Sequence, residues 1–291
     1  MKKLLKLFVI VVMIGAVVTS CKKREETPLT PESDYQTGQD DVFAQQTVQK
    51  TFTSVNNYGI NDDGIKGDRP YYITVEGGVG VWPKKMTINF DLITAADAAI
   101  KEGRSGIVYA EFSGPWKKDP APNTSVTVTF NNYKVNGILC EGTVTVTYLG
   151  QNSVGGPTFN IKATNMKFTF TNGENMLWTT DRSISWIEGF EPPANLTSDQ
   201  ILNYLATNYK YEIWGTNSGT NSKGSAYSAA IQQTNPLVFR YCPTGLPISK
   251  GTIVITQSGV AKTINFGDVD ECDNKVTITI GVITIDLTLR S

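Results

Sequence analysis

The stretch KVTITIGVITIDLTL, residues 275–289, decides the fold. Apolar residues alternate with polar ones on both sides of Gly281-Val282. A two-residue loop there sets Ile280 opposite Ile283, Ile278 opposite Ile285 and Val276 opposite Leu287, making one face of the pair apolar throughout. Glycine at the first loop position suits a type II′ turn. The expectation is an antiparallel hairpin.

The same period of two recurs upstream. TSVTVTF (124–130) puts Val126, Val128 and Phe130 on one face, and GTVTVTYL (142–149) does the same with Val144, Val146 and Tyr148. In FNIKATNMKFTF (159–170) the inward set changes phase between Ala163 and Met166, which predicts a bulge near Thr164-Asn165. Turn signals such as Asn136-Gly137, Gly155-Gly156 and Asn172-Gly173 separate the runs. The pattern predicts an all-β domain over 46–291, a long antiparallel meander forming a β-sandwich or an open half-barrel. One short lid helix is expected in NLTSDQILNYLATN (195–208), where Thr197 and Gln200 make a capping box and Ile201, Leu202 and Leu205 an apolar stripe. A second short helix fits DDVFAQQTVQKTFTSV (40–55), with Ala44, Val48, Phe52 and Val55 at helical spacing.

The N-terminus carries a different message. Lys2, Lys3 and Lys6 precede an apolar run from Leu7 to Val18. Twelve residues of helix rise about 18 Å, too little for a bilayer core of about 30 Å. That is the pattern of a signal peptide over residues 1–20. Val18-Thr19-Ser20-Cys21 resembles a bacterial lipobox, in which the cysteine sulfur takes a diacylglycerol and the chain is cut before it. Residues 21–45 are expected to be the lipidated Cys21 and a flexible tether, because 22–39 are charged and rich in Pro, Thr and Ser.

Composition excludes several chemistries. Loss of twenty residues and three lysines leaves 271 residues with 23 basic and 27 acidic side chains, a net of −4. No basic cluster remains to hold nucleic acid. Histidine is absent, which removes His-dependent triads and His-ligated zinc. No cofactor is expected.

Few residues suggest a site. FGDVDECDN (266–274) places Asp268, Asp270 and Asp273 at close spacing, the weak candidates for a calcium site. A Gly at loop position six and a Glu at twelve are missing from the EF-hand pattern, so the segment reads as a turn with water-facing acids and no metal. The five tryptophans, Trp82, Trp116, Trp178, Trp186 and Trp214, each read as core packing more readily than as a sugar-stacking platform; Trp116, in the loop-like GPWKKDPAP, is the first choice for an exposed one and the weak candidate for stacking on a ligand. Glu188 and Glu102 stand without visible partners. Cys140 sits in an apolar run and suits a buried thiol. Cys242 ends one strand and Cys272 lies before another, so these two are expected to form a disulfide in an oxidising space.

WPKKMTINFD (82–91), GRSGIVYAEFSG (103–114), VNGILCEGTVTVTYLG (135–150), SISWIEG (183–189), PLVFRYC (236–242), PISKGTIVI (247–255) and INFGDVDECDN (264–274) together resemble a family of Bacteroidetes-type lipoproteins. The resemblance covers roughly residues 70–290, and departs from the family pattern in having Asn89 and Asn265 where aspartate is common. It implies location and fold and carries no activity. KKREE after Cys21 is similar to signals that send such proteins to the cell surface, so the expected location is the outer membrane, lipid-anchored and outward-facing. The expected function is non-enzymatic binding, with a membrane contact through the anchor and a glycan or protein as candidate ligand. The alternatives are a periplasm-side carrier of an apolar ligand, and a carboxylate-based glycoside hydrolase.

Overall fold

The structure is a computed structural model. It describes residues 31–57, 70–94, 101, 103–116, 120–191, 193–196, 204, 207–242, 248–273 and 275–288. Within each of its two units the strands pair antiparallel, as the alternation predicts, many with neighbours in chain order, while others skip an element. The β region, read from sequence as one domain over 46–291, packs as two compact units. One spans Phe43–Trp186, and the other combines Ile187–Ser291 with the segment up to Val42.

The Phe43–Trp186 unit is a meander of β1 (Ile73–Glu76), β2 (Lys84–Asn89), β3 (Arg104–Phe112), β4 (Ser125–Val135), β5 (Ile138–Glu141), β6 (Thr143–Gln151), β7 (Pro157–Thr169) and β8 (Asn175–Glu188). Val126 pairs with Val146 and Val128 with Val144, all four buried on one face. β5 and β6 act as one strand broken at Gly142, since β4 and β7 each pair with both. Gly142 has φ +124°, and a Cβ there would lie 3.1 Å from Met166 Cα. Opposite it the register shifts between Ala163 and Met166, with Asn165 at φ +50°, the bulge expected at Thr164-Asn165.

A single long helix, α1 (Pro31–Asn57), contributes its residues from Phe43 onward to this unit. Ala44, Val48, Phe52 and Val55 are all buried, at most 3% exposed. Phe52 packs edge-on against Phe159 and Trp116, and Phe43 against Phe168. Each of the three larger side chains gains roughly 1.5–3 kcal/mol from burial, which holds this half of α1 on the sheet.

The second unit begins with β9 (Lys210–Thr220) and β10 (Ala226–Ile231). β11 (Leu237–Arg240) takes over beside β9 where β10 ends, and β12 (Ile248–Lys250) pairs with β11. β13 (Thr252–Gln257), β14 (Val260–Asn265), β15 (Lys275–Ile280) and β16 (Ile283–Thr288) complete the meander. Gly251 joins β12 to β13 at φ +104°, and a Cβ there would lie 2.0 Å from the Pro236 carbonyl oxygen, so only glycine fits. The C-terminal hairpin has the register read from sequence: Val276 with Leu287, Ile278 with Ile285, Ile280 with Ile283. Thr-Ile-Asn-Phe occurs at 87–90 and again at 263–266, and both copies end a strand in the same way. Asn89 Oδ1 accepts the Asp91 amide at 3.1 Å, and Asn265 Oδ1 the Gly267 amide at 2.9 Å.

One expectation changes. The tether was expected to run to residue 45, yet the chain is helical from Pro31. Thr37, Asp40 and Asp41 are buried, held by polar partners from distant strands, and a polar stretch stabilised that way gives no local apolar signal. Most of the lid helix expected at 195–208, including Gln200, Ile201, Leu202 and Leu205, lies outside the described residues.

Candidate functional site

The densest charged cluster among the described residues forms where β9, β11 and β12 meet the loop after β14. Cross-strand pairing sets Lys210 opposite Arg240, so both cations lie on one face of the sheet. Ser249, buried on β12, adds a hydroxyl. The loop 266–273 then brings in Asp270. Lys210 Nζ lies 2.6 Å from Asp270 Oδ2 and 2.8 Å from Glu188 Oε1, Arg240 Nη1 is 3.5 Å from Asp270 Oδ1, and Ser249 Oγ donates to the same oxygen. The Cys242–Cys272 disulfide, with Cα atoms 5.5 Å apart, ties this loop to the end of β11. Cys140 is free and buried.

The electrostatics fix the ionisation states. Burial works to raise the Asp270 pKa. Hydrogen bonds from Lys210 and Ser249 and the charges of Lys210 and Arg240 outweigh it and hold the carboxyl below its usual range. Burial likewise opposes the Lys210 charge, and the bonds to Asp270 and Glu188 overcome it, leaving the ammonium more firmly protonated. At neutral pH, Asp270 is therefore a poor proton donor and Lys210 a poor base or nucleophile. The cluster can clamp strands or present fixed charge; it is badly matched to acid–base chemistry.

On the opposite face of the same strands, aromatic rings line up. Tyr211 and Phe239 are cross-strand partners with parallel rings 5.4 Å apart, and Tyr209 stacks on Tyr211 at 5.7 Å. All three are half-buried, and Tyr241 beside them is exposed. Burial pushes the Tyr209 and Tyr211 phenols up.

The sequence-derived candidates fare unevenly. Cys21 lies outside the described residues. Trp116, the weak candidate for an exposed stacking ring, is 3% exposed: Phe52, Phe112 and Phe159 surround it, and its Nε1 donates to Asn56 Oδ1 at 3.0 Å. It is core, because α1 lies over the loop that local sequence marks as open. Of the three loop aspartates, Asp270 turns inward to the cluster rather than facing water. Asp273 Oδ1 accepts the Lys275 amide, a turn role. Among the described residues no group of three or more His, Cys, Asp or Glu is placed to hold a metal ion. Glu188, without visible partner in the sequence, meets Lys210. Sequence reading missed Lys210, Arg240 and Ser249, whose spacing along the chain gives no hint that they converge. The chain matches no protein-family model, no curated protein and no solved structure.

Proposed function

We propose that this chain is a lipid-anchored cell-envelope protein of non-enzymatic binding type, carried to the outer membrane and facing outward. The observation that carries the reading is Val18-Thr19-Ser20-Cys21 directly after a lysine-flanked apolar run too short to span a bilayer. The Cys242–Cys272 disulfide fits an exported chain, since such bonds persist in oxidising compartments. A binding role gains support from the state of the charged cluster. A glycoside hydrolase needs a carboxyl held protonated beside an ionised one. Here Glu188 and Asp270 share the Lys210 ammonium, and Asp270 is shifted the opposite way from a general acid. A glycan or a protein is the ligand class in this reading.

The second reading, a carrier of an apolar ligand, draws on one observation. Ile253, Ile264, Ile278 and Ile285 lie in register across β13 to β16, and exposure runs from 8% at Ile253 to 36% at Ile285. In the Phe43–Trp186 unit the equivalent apolar face is occupied by α1, which favours the binding reading there.

The test is Cys21→Ser. Acyl chains contribute about 0.8 kcal/mol per buried CH₂, so a lipidated chain should enter the detergent phase and the variant should not. Partition of the variant at the wild-type level would refute the anchor. Saturable uptake of a fluorescent fatty acid, abolished by Ile285→Asp, would move the account to the carrier.

A further inference from the structure

The C-terminal strand has one open backbone edge. Among the described residues β16 pairs with β15 alone, through six consecutive register pairs without a bulge. In a hairpin with a two-residue turn the flanking pair, here Ile280 with Ile283, is hydrogen-bonded, and bonded pairs then alternate along the strand. Ile283, Ile285 and Leu287 therefore bond inward to β15, and the N–H and C=O groups of Thr284, Asp286 and Thr288 point away from it. Sheet edges are ordinarily guarded by lysine, proline, a bulge or a very short strand. β16, Ile-Thr-Ile-Asp-Leu-Thr, has none of these. Its one charge, Asp286, lies on the threonine face, where Thr277 Oγ1 donates to it at 2.6 Å.

The apolar face is unfinished at the same place. The isoleucine row across β13 to β16 is buried at Ile253, half-buried at Ile264 and Ile278 and exposed at Ile285, and Ile283 beside it is 62% exposed. Cover is lost toward the open edge, where a further strand would continue the row.

We propose that β16 is the seam of a two-fold homodimer, pairing antiparallel with β16 of a second copy about Ile285. The open N–H and C=O groups call for a strand, because an apolar small molecule would leave them unmet. The register follows from β16 itself, since outward-bonding residues must meet outward-bonding residues. An axis at Asp286 would set two carboxylates directly opposite each other, which like charges disfavour. An axis at Thr284 would align only the three strand residues 283–285. An axis at Ile285 sets Ile285 on Ile285, Ile283 opposite Leu287, and Thr284 opposite Asp286, a hydroxyl against a carboxylate. Charge and hydrophobic pattern thus agree on one register. A single strand pair falls short of the roughly 800 Å² per partner of a stable interface, so the dimer is reversible and fills where copies are crowded. Dimerisation doubles whatever site the chain carries, and weak contacts to a repetitive ligand then add up.

Disulfide trapping on the full-length mature chain in detergent tests this. In the proposed register the two Ile285 residues form a non-hydrogen-bonded pair with Cα atoms about 4.5 Å apart, within disulfide reach. The two Thr284 residues are diagonal neighbours about 7–8 Å apart, beyond it. Under mild oxidation Ile285→Cys should give a covalent dimer at about ten times the yield of Thr284→Cys or more, each counted above the wild-type background. Thr284→Pro removes an outward N–H and spares the ladder to β15, and should cut the Ile285→Cys yield about tenfold. Equal yields at 284 and 285, including none at either, would overturn the seam. So would trapping that ignores Thr284→Pro, or covalent species larger than a dimer. Cys140 is buried and Cys242 is bonded to Cys272, so the wild-type background reports Cys21. A wild-type covalent dimer would count against the anchor and leave the comparison of 284 with 285 decisive for the seam.

Discussion

Lys210 Nζ stands between two carboxylates of its own unit, 2.6 Å from Asp270 and 2.8 Å from Glu188, and so joins the loop after β14 to strand β9 and to Glu188. The lysine side chain is 17% exposed, that of Asp270 26%, and that of Glu188 59%. The Asp270 bond is therefore the one that water screens least.

That asymmetry sets a pH dependence. Asp270 titrates below its usual range, so its ion pair stabilises the fold above about pH 4 and the contribution fades as pH falls through the folded-state value. Lys210 titrates above its usual range, so its share persists to about pH 10.5 and is lost only beyond it. Asp270→Asn should cost about 1–2 kcal/mol at pH 7, with a shallower loss of stability between pH 4 and 2 than wild type. Urea midpoints at pH 7 and pH 3 measure both. Parallel acid limbs for the two proteins would count against the pairing.

The disulfide and the free cysteine make a chemical prediction. The unfolded, non-reduced lipidated chain should show one free thiol, Cys140, since Cys21 is blocked and Cys242 is bonded to Cys272. In the folded protein burial pushes the Cys140 thiol up to about 12, so alkylation at pH 8 should wait on unfolding. Replacing Cys242 and Cys272 by serine should cost roughly 3–4 kcal/mol for a loop of this length. Three free thiols in the unfolded chain would contradict the pairing, whereas two would mean that Cys21 is not blocked.

How much of this was legible differs from place to place. The hairpin at 275–288, the bulge at Thr164-Asn165 and the spacing of Ala44, Val48, Phe52 and Val55 are local periodicities, and the structure keeps each of them. The Cys242–Cys272 pair was legible because short consecutive strands return the chain to the same sheet end. The rest depended on long-range packing. Trp116 lies in a segment of Gly, Pro and Lys that reads as exposed loop, and it is buried by α1, some sixty residues earlier, together with Phe112 and Phe159. Thr37, Asp40 and Asp41 look like tether until Asn217, Asn221, Ser222 and Tyr227 are placed opposite them. Polar partners about 180 residues apart leave no pattern in either segment.

Burial of Trp116 carries its own prediction. Trp116→Ala should destabilise the Phe43–Trp186 unit by about 3–5 kcal/mol, as large aromatic deletions in a core do. Trp116→Phe should cost less, and neither should alter binding of any ligand while the chain is folded. A Trp116→Phe variant with wild-type stability and lost binding would restore the tryptophan as a contact residue.

Asp41 should matter more than a surface acid. Asp41→Ala removes the acceptor of the bonds from Asn217 and Tyr227 in a site only 3% exposed, and should cost about 2–4 kcal/mol. Denaturant titration of the variant checks it. A loss below about 0.5 kcal/mol, the range of surface substitutions, would show that the network is slack.

The central claim is that Cys21 is the lipid-bearing N-terminus of the mature protein. Intact and peptide mass spectrometry of the chain isolated from cell envelopes reads this directly. The account predicts a mature chain beginning at Cys21, with no residue of 1–20 retained and the mass of a diacylglyceryl group on the cysteine sulfur. A mature N-terminus at any other residue, or Cys21 carrying a free thiol, would contradict it.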